Sequence, residues 1–192
     1  EFLCRYIWYK MSRLLAQTNI VFSTHEQVLI DFTDVFSATY PAYEILCENI
    51  NGTNDNSYIN ANLINSSGSV LSDSNYTWKE AQIRDSGTTQ TSSIGQAAAM
   101  WSIGRPSGAS NGKYAGIIKL QLISPFESNS FTQFISRTTH WSGTSGRHGM
   151  WAGNYKNAVS CTGIRFSTPA NTSSAWYNFN GGRISIYGIG GS

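Results

Sequence analysis

Apolar and polar residues alternate with a period of two along most of this chain. In GIIKLQLI, residues 116–123, Ile118, Leu120 and Leu122 take one face while Lys119 and Gln121 take the other. AYEILCENI, residues 42–50, sets Tyr43, Ile45 and Cys47 against Glu44, Leu46 and Glu48. CTGIRFST, residues 161–168, turns Ile164 and Phe166 inward around Arg165, and QVLIDF, residues 27–32, groups Val28, Ile30 and Phe32. SFTQFISRTTHW, residues 130–141, opposes Phe131, Gln133 and Ile135 to Thr132, Phe134 and Ser136. SNYTWKEAQIRD, residues 74–85, carries Tyr76, Trp78 and Ile83, and AWYNF and RISIYGI close the chain. This period is that of half-buried strands, because successive side chains on a strand point to opposite faces.

Ser, Asn and Gly clusters punctuate these runs, as in NGTNDNS, NSSGS, GRPSGASNG and SGTSGRHG. The spacing predicts roughly eight to ten strands in one antiparallel β-sandwich of jelly-roll type. The one helical expectation is a short piece at SIGQAAAM, residues 93–100, where alanines cluster. No composition shift marks a second domain, so residues 14–192 read as one sandwich and residues 1–13 as an extended N-terminal arm.

Two segments call for a partner surface. The strand at residues 183–189 is fenced by glycines and places Ile184, Ile186, Tyr187 and Ile189 at the end of the sequence. Those side chains gain nothing from fraying into water, so the strand is expected inside a sheet or at a subunit seam. The arm carries Phe2, Tyr6, Trp8 and Tyr9 outside the sandwich pattern, which suits docking across a neighbouring subunit. The sequence opens on Glu1, and MSRLL at Met11 would make a natural start, so either residues 1–10 derive from a longer precursor or an upstream reading frame, or the true start lies outside the recorded sequence.

Composition narrows the functional classes. Of the 192 residues 13% are aromatic but only 12% charged, about half the usual charged share, so the surface is built from Ser, Thr, Asn, Gln and Gly. A net charge of +2, with thirteen scattered Lys and Arg, provides no basic stripe for nucleic acid. No apolar run reaches the roughly 20 residues of a membrane-spanning helix. Cys4, Cys47 and Cys161 are widely spaced and make no CxxC; Cys47 and Cys161 read as small buried hydrophobes in a protein made in a reducing cell. Sequons occur at Asn51, Asn65, Asn75 and Asn171, a number that chance supplies in so Asn-, Ser- and Thr-rich a chain.

Catalytic motifs are missing: there is no HExxH, no GxSxG and no Walker-type loop. His25, His140 and His148 lack metal-ligand spacing, and Asp31 and Asp34 do not read as a facing carboxylate pair. No enzymatic activity, cofactor or metal is therefore expected. The densest polar–aromatic stretch is RTTHWSGTSGRHGMWAGNYK, residues 137–156. Displayed on one surface, Trp141, Arg147, His148 and Trp151 would suit stacking and hydrogen bonding to a sugar. The competing reading is a hairpin whose tryptophans pack the core.

CTGIRFSTPANTSSAWYNFNGGRISIYGI, at residues 161–189, resembles the C-terminal signature of a family of small tailed-bacteriophage virion proteins, which close on a Leu/Ile-Tyr-Gly-Ile box. LIDFTDVFSATYPAYEILCENINGTNDN and GIIKLQLISPFESNSFTQFISR are similar to earlier segments of that family, so the likeness runs in order from about Leu14 to Ile189 as loose patterns. The arm and the final GGS depart from it. The resemblance implies a β-sandwich virion component without catalytic residues. Such proteins serve either as capsid decoration (cement) proteins or as receptor-binding parts of tail or head fibres. The expectation is a decoration protein on the particle surface, made in the host bacterial cytoplasm, a homotrimer whose partner is the major capsid protein or another virion protein. The alternative is a fibre adhesin for host surface glycan.

Overall fold

The computed structural model describes residues 12–20, 29–52, 58–85, 89–108, 116–142, 145–168 and 181–190. Among these the chain is all-β. The larger sheet is built from β1 (Arg13–Ile20), β3 (Ala42–Gly52), β5 (Tyr76–Arg84), β6 (Thr89–Ala98), β9 (Gly116–Ile123), β10 (Thr132–Ser142), β11 (Ser145–Tyr155) and β13 (Gly182–Ile189). Its order is β1-β13-β3-β9-β10-β11-β5-β6, all antiparallel, and the two-residue strand β8 (Ser107–Gly108) adds one short parallel pairing to β3. The smaller antiparallel sheet holds β2 (Leu29–Phe32), β4 (Ile59–Asn65), β7 (Trp101–Gly104) and β12 (Cys161–Ser167) in the order β2-β12-β4-β7.

The two sheets pack as a sandwich around one core. Tyr43, Ile45 and Cys47 of β3, Ile118, Leu120 and Leu122 of β9, and Phe134 of β10 face Leu63 of β4, Trp101 and Ile103 of β7, and Ile164 and Phe166 of β12. The strand alternation in β9 and β3 is therefore the buried–exposed alternation itself. On β12, Arg165 turns out of the core and forks onto Asp31 of β2 directly opposite, with two bonds of 2.6 Å.

The closing strand lies inside the larger sheet. β13 pairs with β1 on one side and β3 on the other, so its backbone groups are hydrogen-bonded along both edges. Ile184 and Ile186 are buried in the core opposite Cys47 and Ile45. Tyr187 and Ile189 project to the other face of the sheet, where both are half-buried.

The helical expectation at residues 93–100 is overturned. Residues up to Ala98 belong to β6, paired with β5 through Lys79↔Ile94, Trp78↔Gly95 and Tyr76↔Ala98. Three β6 steps span two on β5 between the last two pairs, and Ala97 takes a left-handed φ of 52°. The Trp78 indole occupies the space a Cβ would need at Gly95. Local alanine propensity thus yields to a bulged strand closed by tertiary packing.

Candidate functional site

The hairpin of β10 and β11 supplies the sequence's candidate site, and alternation divides that site between two faces. Trp141 and His148 point to the outer face of the larger sheet, Arg147 and Trp151 to its inner face. Trp151 is 0% exposed and belongs to the core, so the expectation that it joins a ligand surface is corrected. Its ring lies where a Cβ on Gly149 would sit, so the glycine makes room for the indole two residues on along the same face. His148 stands at the surface 3.5 Å from Asp85, whose other oxygen accepts the Gly146 N–H at 2.9 Å. The four candidate residues therefore do not share one surface. The arm residues Phe2, Tyr6, Trp8 and Tyr9 lie outside the described residues.

Two other features emerge. The first is the outer face of the larger sheet, where several exposed apolar side chains stand among the polar ones that a solvated face ordinarily carries. Ile83 of β5, Ile117 of β9, Ile135 of β10 and Met150 of β11 are 55%, 48%, 41% and 48% exposed. Phe131, just ahead of β10, and Ile123 extend the surface. Ala81, Ile83, Arg137, Thr139, His148 and Met150 line a groove of about 470 Å³ across it.

The second is a polar region inside the sandwich. On the inner face Arg84, Arg147 and His140 stand opposite one another in a row across β5, β11 and β10. The next row along is Gln82, Gly149 and Thr138, and the next Glu80, Trp151 and Ser136. Gly104, at the end of β7, packs against Thr138 and Ile118, bringing the following Arg105 over this region. Arg105 lies 3.5 Å from Glu80, hydrogen-bonds the Tyr58 hydroxyl and stacks 4.1 Å from the centre of that ring. Gln82 donates to the same carboxylate. Burial pushes the His140 imidazole down to about 3, and the positive Arg105 and Arg147 and then His148 add to the shift. His140 is therefore a neutral ring at ordinary pH.

Burial also shifts three other core groups. Desolvation raises the thiols of Cys47 and Cys161 to about 12, and both cysteines are free. Tyr155 is raised to about 12, by burial and by donating its hydroxyl to Asp73 at 2.8 Å.

No family model, curated protein or solved structure matches this chain.

Proposed function

We propose that this protein is a non-enzymatic structural subunit of a bacteriophage virion, a capsid decoration protein that assembles on the particle surface as a homotrimer. The observation that carries the reading is the group of exposed apolar side chains on the outer face of the larger sheet. Exposed apolar patches of this kind mark surfaces that another protein covers. The sequence resemblance supplies the virion context, and the low charge density suits copies packed side by side without mutual repulsion. An interior closing strand leaves a sheet that keeps its shape while its outer face is covered. The adhesin alternative keeps Trp141 and His148 on the outer face but not Trp151, which is in the core.

The test is a pair of outer-face variants, Ile135→Glu and Met150→Glu, mixed with particles that lack the protein. The unaltered chain should co-sediment with the particles and the double variant should remain in the supernatant, with both folded by circular dichroism. Equal co-sedimentation of the two would remove the outer face from the assembly surface.

A further inference from the structure

The polar region inside the sandwich has more hydrogen-bonding groups than the described residues satisfy. His140 is 2% exposed, and among the described residues neither ring nitrogen has a hydrogen-bond partner. Ser136 Oγ and Thr138 Oγ1, on the same face of the same strand, are likewise buried without partners. So are Trp151 Nε1, Arg105 Nε and Arg84 Nε, three groups that can only donate. A buried polar group left unpaired costs more than a typical hydrogen bond gains, so such a cluster implies an occupant with acceptor atoms.

Charge points the same way. Arg84 stands directly opposite Arg147 across β5 and β11, in the same row as His140. Glu80 is taken up by Arg105, Tyr58 and Gln82. Arg84 has no carboxylate partner among the described residues. We propose that this end of the sandwich is a binding site for an oxyanion of the phosphate or carboxylate class. Arg84 meets the anion at the rim, and His140 with Thr138 in the adjoining row receives its oxygens from the sheet. Guanidinium and neutral N–H or O–H donors around a shielded position are the recognised chemistry for such ions. The assignment stands independently of the virion reading.

The test uses the full chain in an amine buffer free of oxyanions. Thermal unfolding is followed while sodium phosphate, sulfate, acetate or glucuronate is titrated against sodium chloride at matched ionic strength. The proposal expects a saturable rise for at least one oxyanion, about 5–10 °C when it stands about a hundredfold above its Kd. Phosphate and sulfate ahead of the carboxylates would name a tetrahedral ligand, and the reverse order a sugar-acid or side-chain carboxylate. Arg84→Gln should weaken binding about tenfold or more, the worth of a charge-assisted bond, and Arg84→Lys should recover part of it. The ring resonances of His140 should move during the titration while those of His148, on the opposite face, stay put. Oxyanions indistinguishable from chloride would overturn the site and leave water as the partner of these donors. A shift unchanged in Arg84→Gln with His140 silent would also overturn it, showing an adventitious ion only.

Discussion

Gly188 of the closing strand lies face to face with the ring of Tyr40, and a Cβ built on the glycine would sit 2.6 Å from that ring's Cγ. The glycine in the closing box is thus a packing requirement: Tyr40 needs the strand backbone itself as its floor. Gly188→Ala should lower the unfolding free energy by about 1–3 kcal/mol, the usual cost of forcing extra atoms into a packed site. In urea titrations the loss should shrink when Tyr40→Ala is combined with it. Additive losses would mean that the ring is not the obstacle.

Ile186 tests the placement of the whole strand. It is fully buried opposite Ile45, with β1 and β3 hydrogen-bonded to either side. Ile186→Asp should give insoluble or unfolded protein, because an unpaired buried charge costs several kcal/mol. Ile189→Asp, half-buried on the other face, should stay soluble and monodisperse by light scattering. A soluble Ile186→Asp with an unaltered melting temperature would put the strand at the periphery.

Trp151 should behave as a core residue. Trp151→Ala should cost about 3–5 kcal/mol in urea unfolding, since the side chain is wholly enclosed. A variant of unchanged stability that lost only ligand binding would reverse that assignment.

How much of this was legible in the sequence depended on where burial and hydrophobicity agreed. In β9 and β3 they agree at every step, so Ile118, Leu120, Tyr43 and Ile45 fall on the core side as their pattern requires. In β10 they disagree. Ser136, Thr138 and His140 are buried, whereas Phe131 and Ile135 face outward. Ranking the two faces of that strand by apolarity would choose the wrong one, so both the polar interior and the exposed apolar side chains of the outer face were hidden. On β5, Ile83 likewise points out while Glu80 and Gln82 point in. The candidate tryptophans failed as a set for a simpler reason. Trp141 and Trp151 lie on different strands of one hairpin, and only the register decides which residues share a face.

His140 makes a pH prediction. Its folded pKa is depressed to about 3, by burial first and then by Arg105, Arg147 and His148. The unfolded chain, with an ordinary imidazole near pH 6.5, then binds a proton that the folded chain does not. The neutral ring's advantage is intact above about pH 6.5 and is lost as pH falls toward 3, at a slope of up to about 1.4 kcal/mol per pH unit. His140→Gln should flatten urea-unfolding stability between pH 6 and pH 4 relative to the unaltered protein, both measured in chloride. Parallel pH profiles for the two would show that the ring protonates freely in the folded state.

The most direct measurement on the central claim is the copy number and position of this chain in intact particles. Quantitative mass spectrometry against the major capsid protein, with cryo-electron microscopy of the same preparation, would supply both. A decoration protein should be present in a fixed ratio to the shell subunit, with density on the outer capsid surface and the outer face of the larger sheet covered. A few copies confined to the tail, or no copies in the particle, would contradict the account.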